Sequence, residues 1–171
     1  MKNNWYVVQV TVGREEKIVH QIESNIPQEL LIRCFVPKYK FMKRYYGSWH
    51  IEEKITFPGY IFIKSDRIED FFTKLKMTQA FTKMLGLNRG EIFPIYDEDV
   101  MFLLKYDEND SLDISKGYIL GGKTIITSGP LVGHEGIIRR IDRHKRLAFL
   151  EVELLGQITT VKVGLEIISK T

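Results

Sequence analysis

The sequence predicts an α+β chain in two modules: an open βαββαβα sheet carrying helices, then a small all-β barrel. Three observations predict it. Strand-like runs alternate with helical periodicity through the first hundred residues, an acidic, polar stretch interrupts the pattern around residue 110, and short β-rich runs separated by Gly and charged turns fill the remainder. The modules are placed at residues 1–107 and 119–171, with 108–118 as the linker.

Trp5 to Val10 is an aromatic and β-branched run and reads as the first strand. After Gly13, Ile18, Ile22 and Ile26 recur every four residues, which predicts an amphipathic helix over Arg14 to Ile26, stopped near Pro27. Ile32 to Tyr46 reads as a strand entering a hairpin around Gly47-Ser48 and returning through His50 to Lys64, with Pro58-Gly59 marking a bulge or an edge. A helix is predicted over Ile68 to Lys76, a short strand near Phe81 to Leu87, and a helix from Asp97 to Tyr106, whose leading carboxylates suit the positive end of its dipole. In the second module strands are predicted at Thr124–Thr127, Gly136–Ile141, Leu147–Leu154 and Thr159–Ile168.

Composition sets limits on function. The 171 residues are 44% hydrophobic and 27% charged, the balance of a core-forming chain, and the net charge of +3 implicates nucleic acid only if basic residues cluster. The single cysteine, Cys34, excludes an intramolecular disulfide and reads as a small core residue. With no basic start before an apolar stretch and no run near the ~18 apolar residues that span a bilayer, a cytoplasmic protein without a membrane partner is expected. His20, His50, His134 and His144 show no spacing with cysteine or carboxylate that would build a zinc site, so neither metal nor cofactor is expected. No nucleophile stands beside an evident base, and no catalytic residue is predicted.

Basic residues do cluster, twice. Lys38, Lys40, Lys43, Arg44 and Lys54 share a hairpin with Tyr39, Tyr45, Tyr46 and Trp49; Arg139, Arg140, Arg143, His144, Lys145 and Arg146 form a second run. Cations give salt-dependent attraction to phosphate and neighbouring aromatics stack on exposed bases, so Lys38, Lys40, Lys43, Arg44, Tyr46, Trp49, Lys54 and the run from Arg139 to Arg146 are the candidate nucleic-acid residues. A solvated hairpin whose lysines protect a sheet edge is the alternative.

Gly117 to Thr124 fits the Walker A pattern letter for letter. A phosphate loop needs a buried strand before it and a helix after it, whereas a polar stretch precedes this octet and Gly129-Pro130 follows too closely for a helix.

Two stretches go beyond fold class. Trp5-Tyr6-Val7-Val8-Gln9 with Phe57-Pro58-Gly59-Tyr60 resembles the WYVVQ and FPGY signatures of the NusG amino-terminal domain, and Gly129-Pro130-Leu131, Gly133 and Gly136-Ile137-Ile138 resemble the KOW motif of its SH3-like carboxy-terminal barrel. The resemblance implies a transcription elongation factor, not an enzyme, whose first domain grips the clamp helices of the largest catalytic subunit of RNA polymerase. The matching positions are Phe57, Pro58 and Tyr60, supported by Trp5 and Tyr6, and Pro58-Gly59 is expected to turn Phe57 and Tyr60 outward. That these rings fill the core instead stays open. The loop glycines Gly133 and Gly136 are expected at positive φ. The family's barrel docks a ribosomal protein, the Rho termination factor or RNA.

Leu131 stands where housekeeping members typically carry Phe, and with the basic runs this is most similar to the specialised LoaP group, antiterminators acting on selected operons through an RNA hairpin. Arg14, Lys17 and Gln21 lie where some paralogs approach the non-template DNA strand. A monomer is expected. A general NusG elongation or termination factor and a free KOW-type RNA-binding protein are the alternatives.

Overall fold

The computed structural model describes residues 4–77, 92–105 and 110–171, with Lys105 described in its backbone alone. It divides into two compact units, residues 1–37 with 57–96 and residues 38–56 with 97–171. The hairpin that the sequence places in the first module thus packs within the second unit.

In the first unit β1 (Trp5–Gln9) lies between β5 (Tyr60–Lys64) and β6 (Phe93–Pro94), and β2 (Arg33–Phe35) borders β5, all antiparallel. The register sets Val7 against Phe62 and Val8 against Ile61, and all four side chains are buried. Helix α1 (Glu15–Asn25) buries Ile18 and Ile22, and α2 (Ile68–Met77) buries Phe71 and Leu75, the stripes that a 3.6-residue period requires. Cys34 is buried in this core. The strand expected near Phe81 to Leu87 lies outside the described residues.

The second unit contains β3 (Lys38–Tyr45) and β4 (Ser48–Ile55), helix α3 (Glu98–Lys105) and a five-stranded sheet. Tyr46 and Gly47, at φ of 50° and 74°, form the two-residue hairpin loop, because a loop with positive φ at both positions matches the twist of its strands. The turn therefore centres one residue before the expected Gly47-Ser48. The sheet runs in the order β10 (Ile138–Asp142), β11 (Leu147–Leu154), β12 (Gln157–Lys170), β8 (Ser115–Leu120), β9 (Lys123–Ser128). Strand β12 pairs with β11 up to Gly164 and with β8 from Leu165 onward, so one strand serves both halves of the sheet.

Two expectations are corrected here. The segment 108–118 holds β7 (Ser111–Leu112), paired parallel to Lys38 and Tyr39, and the start of β8; its polar residues hid strands whose partners are far away in sequence. Gly136 does not adopt positive φ, whereas Gly133 does at 79°, since the chain turns at Gly133 and then enters a short 3-10 turn at Glu135–Ile137. The Walker-like octet is the β8–β9 hairpin: Gly121 and Gly122 make its turn at φ of 58° and 81°, and β9, not a helix, follows. Gly117 is required by packing, as a Cβ there would lie 2.3 Å from the Ile125 carbonyl oxygen.

The Glu135 carboxylate accepts a bond from the Ile126 N–H at 3.2 Å. Its own backbone N–H first, then those of Ile126 and Gly133, hold its carboxyl below the usual glutamate value against a smaller opposing effect of burial. A carboxyl depressed in the folded state stabilises above its unfolded pKa of about 4.3, and that contribution is lost as the pH falls through the folded value. Thermal melts from pH 6 to pH 3 are therefore expected to show a fall in Tm at the acid end that is smaller in Glu135→Gln; equal falls would contradict this.

Candidate polymerase and nucleic-acid surfaces

Phe57-Pro58-Gly59-Tyr60 is a tight turn closed by the Tyr60 N–H donating to the Phe57 carbonyl at 3.2 Å. Proline at the second position and glycine at φ 84° in the third are the residues a type II turn demands. The turn is anchored from below. Glu15, 2% exposed, accepts the Gly59 N–H at 2.9 Å and the Gly13 N–H at 2.8 Å, one on each carboxylate oxygen.

Sequence reasoning missed Glu15, because a carboxylate whose partners are backbone amides leaves no paired residue to find. Glu15→Gln keeps one acceptor oxygen and turns the other position into a donor facing an N–H. A loss of about 1–3 kcal/mol is expected from leaving a buried N–H unpaired, read by urea unfolding; an unchanged midpoint would show that the carboxylate does not hold the turn.

The outward reading of Phe57 is corrected. Its ring is 1% exposed and packs 5.1 Å from Phe62, because the residue that enters the turn faces the core. Trp5 is buried too, edge-on to Phe35 at 5.8 Å. What this face presents is Pro58, exposed, with Tyr60 and Tyr6 half-buried and Val12 exposed beside Gly59. Burial, and then Tyr96, Asp66 and Glu69, raise the Tyr6 phenol above its ordinary pKa, so it remains a neutral donor.

The two basic clusters come together in the second unit. The first contributes Lys43, Arg44 and Lys54 from the hairpin; the second contributes Arg143, His144 and Lys145 from the β10–β11 turn; Trp49 stands between them. The Arg146 guanidinium lies 3.8 Å over the Trp49 ring and 3.3 Å from Glu166, so Arg146 joins the hairpin to the sheet. That is a different task from the phosphate contact the sequence assigned to it. Arg146 reaches this place from φ 52°, and the Asp142 carboxylate, accepting the Lys145 N–H at 2.9 Å, closes the same turn.

The remaining candidates divide. Arg139 donates to the Gly136 carbonyl at 2.9 Å and lies 3.4 Å from Glu151, and Arg140 covers Phe149 at 3.7 Å. Lys40 pairs with Asp113 at 2.8 Å, and the Lys38 N–H bonds to the Asp110 carbonyl. Tyr46 is 97% exposed at the hairpin tip. Lys43 sits a loose 3.8 Å from Glu52, while the Lys54 ammonium hovers 5.2 Å over Phe41.

Close backbone approach holds the hairpin in place. A Cβ on Gly164 of β12 would lie 2.3 Å from the Lys40 carbonyl oxygen, so only glycine lets the two strands touch. Helix α3 packs against β11 in the same unit, and the Phe102 ring stacks on His134 at 3.5 Å. Neither Gly164 nor Phe102 carries a local signal: each is set by a residue more than thirty positions away.

Among the described residues no helix is long and apolar enough to cross a membrane, and no cluster of His, Cys, Asp and Glu is placed to hold a metal. A family model described as transcription termination factor NusG matches residues 3–104. The chain is 28% identical to the transcription termination/antitermination protein NusG of Borreliella burgdorferi, covering 99% of this chain and 100% of that protein. It is 24% identical to the protein of the same name in Staphylococcus aureus strain Mu50, covering 97% and 94%. A solved structure of Thermotoga maritima NusG superposes with a TM-score of 0.52 at 21% identity, covering 96% of this chain and 94% of that one, a likeness of fold. With more than half of its length inside the family model, the chain belongs to the NusG family of transcription factors.

Proposed function

We propose that this protein is an elongation and antitermination factor of the LoaP type, which binds the clamp helices of RNA polymerase through its first domain and holds nucleic acid, an RNA hairpin, on its basic surface. The unit of residues 1–37 and 57–96 makes the polymerase contact, and residues 119–171 act as the KOW domain. Pro58, Tyr60 and Tyr6 make the polymerase contact, with Trp5 and Phe57 supporting them from the core. The non-template DNA strand is a further contact, and a ribosomal protein or Rho is the partner for the KOW domain.

The observation that carries this reading is the gathering of Lys43, Arg44, Lys54, Arg143, His144 and Lys145 around Trp49, from two stretches ninety residues apart in sequence. A solvated, edge-protecting hairpin has no reason to meet a second basic run. Cations concentrated on one face attract a polyanion, and six phosphates neutralised on a single strand give a slope of log K against log salt of about −4.

The test has two arms. Titration of a structured RNA over a salt series is expected to give a steep negative slope that Lys54→Glu and Lys145→Glu each flatten. Terminator read-through by purified RNA polymerase is expected to rise with the protein and to fall back with Tyr60→Ala. A flat salt response, or read-through indifferent to Tyr60, would defeat the proposal, and RNA binding that persists without any polymerase effect would favour a free RNA-binding protein.

A further inference from the structure

The second unit contains a cavity of about 440 Å³ between the hairpin and the β10–β11 turn, within the range of about 300–1,000 Å³ typical of small-ligand sites. We infer that it takes one unpaired nucleotide of a bound nucleic acid, the base against Trp49 and the flanking phosphates on a rim of lysines. This rests on the nucleic-acid reading above and adds to it the form of the ligand.

The lining is what selects such a ligand. Lys43 and Lys54 stand on the hairpin side, Lys145 and Lys162 on the sheet side, Phe41 and Trp49 supply aromatic surface, and no carboxylate takes part. Four ammonium groups around one concavity repel a cation and favour an anion. A bare anion would leave the aromatic surface unused, whereas a nucleotide joins a flat ring system to a charged phosphate in one molecule. A base still paired in a duplex keeps its faces stacked on its neighbours and cannot enter a recess of this volume.

Trp49 borders the cavity. It lines both this cavity and a second one of about 640 Å³, while Arg146, stacked on its ring, lines only the second. The ring thus borders this cavity without the guanidinium among the cavity's walls. Arg146 also braces the ring, which reduces the ordering cost of stacking a base on it.

The test uses the full chain with two RNA stem-loops, one fully paired along its stem and one carrying a single-nucleotide bulge, and with the DNA forms of both. The bulged oligomer is expected to bind about tenfold or more tightly than the paired one, the size of one base–aromatic stack. In a Trp5→Phe background, where Trp49 is the sole indole, its emission is expected to be quenched by the bulged oligomer alone. Trp49→Leu is expected to erase the preference, read as the ratio of bulged to paired binding within the same variant. Lys54→Glu and Lys145→Glu, both on exposed residues, should each narrow it, so the outcome does not depend on the Trp49 variant folding well.

Preference for the unpaired nucleotide with either sugar supports the inference. Equal binding of bulged and paired oligomers, or a preference that survives Trp49→Leu, overturns it while leaving the nucleic-acid reading in place. Binding of an acidic peptide with the same Trp49 quenching and no response to the bulge overturns it as well. Failure of every oligomer to bind at low salt overturns both.

Discussion

Phe57→Ala is expected to cost about 3–5 kcal/mol of folding stability, the range for emptying a phenylalanine site in a packed core. The ring is 1% exposed, lies 5.1 Å from Phe62, and Phe62 is itself tilted against Phe35 at 6.3 Å, so the void opens in the middle of a contiguous aromatic cluster. The Phe57 backbone carbonyl also closes the turn to Tyr60, so relaxation into the void would disturb the surface the turn presents. Urea unfolding measures the loss, and a drop below about 1 kcal/mol would show that the ring is not a core residue. Because of this cost, an inactive Phe57→Ala protein says little about polymerase contact. Tyr60→Ala removes a half-exposed ring and is the sharper probe of the surface.

Gly164→Ala is expected to cost about 1–3 kcal/mol or more, through overpacking. Its new methyl carbon would sit 2.3 Å from the Lys40 carbonyl oxygen and 2.9 Å from Ile114 Cγ1, and the obstacle is backbone, which cannot swing aside as a side chain can. Strands β3 and β12 must move apart, drawing Trp49 away from Arg146. Thermal denaturation would register the loss, and a shift in Trp49 emission in the Trp5→Phe background would register the separation. A protein as stable as the parent, with an unshifted spectrum, would mean that the hairpin does not depend on this approach.

How much of this was legible follows from the range over which each feature is determined. The helix over Glu15–Asn25 was readable because Ile18, Ile22 and Ile26 carry their own period, and β1 because five residues in a row favour extended backbone. The Phe57-Pro58-Gly59-Tyr60 turn was visible from its proline and glycine; the direction of the Phe57 ring was not, since residue types set the turn but packing against Phe62 sets its facing. Strand β8 was hidden because its polar opening answers to β12, some fifty residues later, and its Gly117 to Ile125 across the β8–β9 hairpin. The clustered basic residues were identifiable apart from Lys162 on β12, but which of them are tied down was not. Arg146 and Trp49 are ninety-seven positions apart, and nothing local in either announces the other.

The double pairing of β12 ties the five-stranded sheet into one thermodynamic piece. A strand hydrogen-bonded to β11 up to Gly164 and to β8 from Leu165 onward cannot release one partner without loosening the stretch around Gly164 that the other partner and the Lys40 backbone share. Opening that frees β8–β9 alone is thus disfavoured, and amides of β12 on both sides of Gly164 are expected to exchange with solvent together.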